Sequence, residues 1–113
     1  MKRLFLAGML AAPLAVWGHH GWSEYDSAKG LKLTGKIVES GYEHPHGHIR
    51  FEAPGKTWTV TLAPPSRMEN RGLPREWLKA GATATVEGYP NRNKPEEMRA
   101  ERITINGKTI ELR

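Results

Sequence analysis

C-terminal to residue 30, apolar and polar residues alternate with a period of two along most of the chain. Leu31, Leu33, Gly35 and Ile37 interleave with Lys32, Thr34 and Lys36, the pattern of a half-buried strand. A second strand is expected at His48 to Glu52, and a third where Trp58, Val60 and Leu62 alternate. Between them, Ala53-Pro54-Gly55-Lys56 puts proline and glycine at the two central positions of a type II turn, so these strands should form a hairpin. Pro64-Pro65 ends the third strand. Ser66-Arg67-Met68-Glu69 has the spacing of a capping box and predicts a short helix starting there. That helix should break near Gly72, resume with Pro74 in a first-turn position, and stop at Gly81 after Trp77 and Leu78. Ala82, Ala84 and Val86 predict a fourth strand, closed by Gly88 and Pro90. Beyond the polar loop Asn91 to Glu97, strands around Ala100 to Ile105 and Lys108 to Leu112 flank Asn106-Gly107, a strong hairpin signal.

This order predicts a mainly β fold: a small five-stranded barrel of the oligonucleotide/oligosaccharide-binding (OB) type, with a short helix between strands 3 and 4 and a C-terminal hairpin. A generic small β barrel or sandwich is the alternative. Residues 31–113 would form this domain, preceded by an arm over 19–30. Residues 1–18 read as a cleavable secretory signal: Lys2 and Arg3 form a positive start, Leu4 to Val16 are nearly all apolar, and Val16-Trp17-Gly18 offers small residues at a processing site. The apolar run falls short of the ~20 residues a membrane span requires. No membrane span is expected after cleavage between Gly18 and His19.

Removing 18 of the 113 residues leaves 95, room for one domain. Lys2 and Arg3 leave with the signal, so the formal charge falls from +5 to +3. The chain contains no cysteine, so the core must hold without disulfides, and attachment as a bacterial lipoprotein is excluded. A bacterial periplasmic or secreted location follows from the signal.

Several motifs recur together: His19-His20 just after the signal, Leu33-Thr34-Gly35, Pro45-His46, Trp58, Leu78-Lys79-Ala80-Gly81 and Val86-Glu87-Gly88. In these the chain resembles a functionally uncharacterised family of small bacterial exported proteins. His44 stands where that family commonly has Asn, and Gly21 where Ser is common. The resemblance implies a barrel-like exported domain and brings no activity with it.

All five histidines fall in two places, His19-His20 and His44-Pro45-His46-Gly47-His48. Proline favours an extended conformation for the residue before it, so His44, His46 and His48 would point to one side of an extended loop. With cleavage before His19, the free amine and imidazole of that residue can chelate one metal ion together. The candidate ligands are therefore His19, His20 and His46, with His44 and His48 as auxiliaries. Nitrogen-rich tetragonal sites favour copper and tetrahedral imidazole sites favour zinc. The competing expectation is a metal-free envelope module that recognises a peptide, glycan or partner protein.

Ser23, Glu24 and Asp26 near His20 do not make a catalytic triad, and no nucleophile elbow, zinc-protease helix or phosphate loop is present in the sequence. Catalysis is therefore not favoured. Trp22, Tyr42, Trp58, Trp77 and Tyr89, interleaved with Arg50, Arg67, Arg71, Arg75, Arg92, Arg99 and Arg102, could line a single-strand groove. Export and the small mature charge argue against nucleic acid. Trp58 and Trp77 are expected in the core, the arginines in solvent, and Trp22 and Tyr25 as anchors of the arm. Protein recovered from the periplasm should have the intact mass of a chain beginning at His19, and a start at Val16 would remove the N-terminal chelate.

Overall fold

The period-two alternation becomes strands β1 (Leu31–Gly41), β2 (His48–Ala53), β3 (Lys56–Thr61), β4 (Thr83–Pro90), β5 (Glu97–Ile105) and β6 (Lys108–Glu111) in a computed structural model, in which residues 21–113 are described. The signal assignment, His19 and His20 lie outside the described residues. A short helix, α1 (Pro65–Asn70), and a 3-10 turn at Arg75–Trp77 connect β3 to β4. Strand order is β3-β2-β1-β4-β5-β6, and a further parallel pairing of β3 with β5 closes the first five strands into a barrel. The sixth stays outside the ring as the second arm of the Asn106-Gly107 hairpin. This is the OB-like barrel with an intervening helix that the pattern predicts. Among the described residues no helix is long and apolar enough to cross a membrane.

One face of each strand fills the barrel. Ile49 and Phe51 of β2, Val60 of β3, Val86 of β4 and Met98 and Ile103 of β5 are fully buried. Each such side chain stabilises the fold by about 1.5–3 kcal/mol relative to exposure. Met68 of α1 and Leu73 beyond it close one end of the core, and the buried Tyr42 hydroxyl donates to the Leu73 carbonyl at 2.6 Å. Trp58 is buried as expected, whereas Trp77 is half-buried at the margin of the core.

Closing five strands into a ring requires sharp coiling, which falls where backbones approach each other most closely. Gly35 lies in β1 just before Lys36, the residue paired with both β2 and β4. A Cβ on Gly35 would collide with the Glu52 carbonyl of β2, and one on Gly88 with the Arg99 carbonyl and Ala100 Cα of β5. The register of β4 against β5 also shifts between Glu87 and Gly88.

Three local expectations are corrected. The helix begins with Pro65 in its first turn, after Pro64, and has no side-chain cap, so Ser66 and Glu69 form no capping box. Pro65 suffices because the first helical position has no hydrogen bond to lose. The segment after Pro74 makes only a 3-10 turn. Strand β5 starts at Glu97 instead of Ala100, because pairing with Thr59 to Thr61 recruits Glu97 to Arg99 into the sheet.

Gly88→Ala should lower stability by about 1–3 kcal/mol, the cost of forcing an atom into a packed interior. Gly30→Ala, where only a Tyr89 ring carbon lies nearby at 3.9 Å, should stay within about 0.5 kcal/mol of the parent. Urea unfolding of the two variants checks this, and equal midpoints would contradict the close approach.

Candidate functional site

The arm, the β1–β2 loop, α1 and the outer face of β5 meet at one edge of the barrel. In β5, Met98 points inward, so Arg99 points outward, level with Thr61 of β3. Arg99 is nevertheless only 6% exposed. The arm covers it: Tyr25 is buried and bridges to Asn91, and the Trp22 ring lies 4.3 Å from the Arg99 guanidinium. The Arg113 guanidinium lies 4.6 Å from the same ring, and Tyr89 meets Trp22 edge-on at 6.2 Å. Cation–aromatic contacts of this kind gain strength when desolvated. Trp22 and Tyr25 thus anchor the arm, as their aromatic character predicted.

From the loop side, His46 Nε2 lies 3.3 Å from Arg99 Nη2. A guanidinium can only donate, so Nε2 accepts and the imidazole proton sits on Nδ1. Burial holds the His46 pKa below the ordinary histidine value, and the charges of Arg99 and Arg67 push it in the same direction. The Arg99 pKa is lowered chiefly by burial, with Arg67 and Arg113 adding repulsion and Tyr25 and Glu24 opposing it. Arg99 Nε is buried and has no hydrogen-bond partner among the described residues. Arg67 donates to the Leu112 carbonyl at 3.0 Å, and Arg113 pairs with Glu101 at 3.6 Å. The Glu101 carboxylate in turn raises the Tyr89 phenol pKa through a hydrogen bond.

His44 is exposed, His46 turns to Arg99, and His48 opens β2 with its ring against Gly41 and Glu43. The loop bends at His44 and Pro45, and beyond them it is tied to the end of β3 by Gly47 N–H to the Ala63 carbonyl and Leu62 N–H to the Gly47 carbonyl, both 2.8 Å. Among the described residues, no three His, Cys, Asp or Glu side chains gather as a metal set. What the sequence reading missed is Arg99, expected in solvent. Its place in the outward register with Glu97 and Glu101, beneath an aromatic arm, is the available signal.

A cleft of about 250 Å³ beside Trp22 is lined by Ser23, Tyr25, Ser27, Tyr89, Arg92 and Arg113. A larger one of about 430 Å³ lies away from the histidines, between α1, Trp77 and Lys108.

The model of DUF6152, a family of unknown function, matches residues 8–99. No curated protein matches. Two solved structures are similar. One is the ZRD-deleted mutant of TiaS in complex with agmatine, at 16% identity and a TM-score of 0.55, over 77% of this chain and 27% of that one. The other is TiaS in complex with a tRNA and ATP, at 17% identity and a TM-score of 0.53, over 79% and 20% respectively. The chain thus spans about a quarter of those proteins, and at such identity the likeness is one of fold.

A depressed His46 pKa means that the unfolded chain binds a proton more readily than the folded one. The stability this group contributes is complete above the ordinary value of 6.5 and is lost as pH falls from there toward the folded pKa. Urea midpoints should therefore fall between about pH 7.5 and about pH 5.5 in the parent, and fall less in His46→Gln. Equal slopes would show that His46 is not held neutral.

Proposed function

Because the chain belongs to DUF6152, a family of unknown function, membership supplies no chemistry, and we propose from its own residues that it is an exported small β-barrel domain that binds a transition metal. Copper is the favoured ion and zinc the alternative. The ligands are the amine and imidazole of His19, His20 and the loop residue His46, with His44 and His48 as auxiliaries. One observation carries this reading: Trp22 rests on Arg99, which touches His46. The described part of the arm is thus docked at Trp22, on the arginine that the loop histidine touches. An N-terminal amine and imidazole on one residue chelate without further ordering.

A neutral imidazole has one ring lone pair. While it accepts from Arg99 it cannot ligate, so a metal at His46 must release that bond. This favours a second reading at the same edge, a metal-free envelope module that holds a peptide, glycan or partner protein in the cleft beside Trp22.

Calorimetry with Cu(II) and Zn(II) tests the first reading on protein beginning at His19, on protein with one residue added before it, and on His46→Ala. Copper should bind the first form at least about tenfold more tightly than the extended form, a difference of ~1.4 kcal/mol, because extension turns the amine into an amide. His46→Ala should be intermediate. Binding should weaken as pH falls through the amine range near ~7.7–8.0 and the imidazole range near ~6.5. Equal weak binding by all three forms would leave the module reading in place.

A further inference from the structure

We propose that the cleft beside Trp22 binds one acidic sugar unit of a glycan, with the carboxylate held by Arg92 and Arg113 and the sugar hydroxyls by Ser23 and Ser27. The proposal rests on the metal-free module reading and names the ligand of that module.

The cleft, of about 250 Å³, is lined by two arginines and by no acidic residue. Both guanidinium groups are half-exposed and only loosely neutralised. Arg92 stands 4.0 Å from Asp26 and Arg113 3.6 Å from Glu101, longer than the bonds of a tight guanidinium–carboxylate fork. Arg92 spends its Nε donor on the Ser23 carbonyl at 3.1 Å. That bond fixes the side chain along the arm and leaves the terminal nitrogens without a hydrogen bond among the described residues. Arg113 lies against the Trp22 ring at 4.6 Å, so a second cation is held in place at the same cleft. A carboxylate is the group that this wall of donors lacks, and a guanidinium recognises it with charge-assisted hydrogen bonds.

The rest of the lining decides between carboxylate ligands. A peptide strand needs main-chain partners, and the arm has spent most of its own. Asp26 N–H donates to the Pro90 carbonyl and Arg92 N–H to the Glu24 carbonyl, both at 2.9 Å, and Tyr25 N–H donates to the Trp22 carbonyl at 3.0 Å. Recognition therefore falls to side chains. The Ser23 and Ser27 hydroxyls are exposed and make no hydrogen bond among the described residues. A hydroxyl both donates and accepts, as the hydroxyls of a sugar do. Trp22 and Tyr89 add aromatic surface for the C–H groups of a pyranose ring. The volume lies below the about 300–1,000 Å³ of a pocket for a drug-sized ligand, so the cleft takes a single ring and a longer glycan continues outside it.

The experiment uses metal-free protein beginning at His19. The probes are methyl β-glucuronide, methyl β-glucoside as its uncharged twin, and N-acetylaspartate amide as a carboxylate on a peptide unit. Binding is followed by the NMR signals of the Trp22 indole N–H and the Ser23 and Ser27 amides. The glucuronide should bind saturably, at least about fivefold more tightly than the glucoside, and should weaken as salt is raised. Arg92→Gln and Arg113→Gln should each weaken it at least about threefold. Lys108→Gln, which removes the same charge beside the larger cleft, should leave it unchanged, with circular dichroism confirming that all three variants are folded. Unsaturable shifts, glucoside binding as tight as that of the glucuronide, or binding unaffected by both arginine substitutions would overturn the proposal. Tighter binding of the aspartate probe than of the glucuronide would overturn the sugar assignment and leave the module reading standing for an acidic peptide. Signals that no probe moves would overturn both the proposal and that reading's use of this cleft.

Discussion

Three residue pairs turn an open sheet into a ring: Thr59 with Glu97, Val60 with Met98 and Thr61 with Arg99. Without them β3 and β5 would each expose an unpaired edge, a template for association with other chains. Closure also fixes which side chains face where. With a period of two, setting Met98 inward beside Val60 forces Arg99 outward beside Thr61. The charge at the arm edge is therefore a consequence of barrel register, and so are the tight approaches at Gly35 and Gly88 that let the strands coil.

Once Arg99 faces outward, the rest of the edge can be read as a response to it. The arm lays Trp22 over the guanidinium and buries Tyr25 alongside. The loop offers a ring nitrogen as acceptor, and burial, with the charges of Arg99 and Arg67 acting in the same direction, lowers its pKa. Arg67 of α1 and Arg71 just past its end donate to carbonyl oxygens of Leu112, Glu111 and Arg113, which ties the segment after β6 to the helix. Arm, loop, helix and C-terminal segment are thus held to one face by hydrogen bonds and ring contacts that converge on a few guanidinium groups.

The barrel was legible in the sequence because alternation, the Pro54-Gly55 turn and the Asn106-Gly107 hairpin are local signals that agree with one another. The start of α1 was misread because a capping-box spacing and a proline at the first helical position compete for the same few residues, and Pro65 prevails. The extent of β5 was not legible, since its first three residues join the sheet through pairing with a distant strand. The site was half visible. The histidine cluster marks the loop, but the burial of Arg99 depends on ring closure and arm docking, both long-range. The common side expected for His44, His46 and His48 assumed an extended loop, but the loop bends at His44 and Pro45 before the bonds of Gly47 to Ala63 and Leu62 tie it to β3.

Those same bonds give His46 its significance. Gly47 sits where a Cβ would press on Met68 Cε and lie 3.1 Å from the Gly41 carbonyl, so a bulkier residue would push the loop off α1 and the end of β1. The backbone next to His46 is therefore fixed by the barrel and the helix, not by the loop's own conformation. A ring held this way has one lone pair and three competitors for it: the Arg99 guanidinium, a proton and a metal ion. The barrel places the first at 3.3 Å, and the surrounding positive charge weakens the hold of the other two. The charge of Arg99 therefore bears directly on the state of His46, which ties the electrostatics of this edge to the arginine as much as to the histidines.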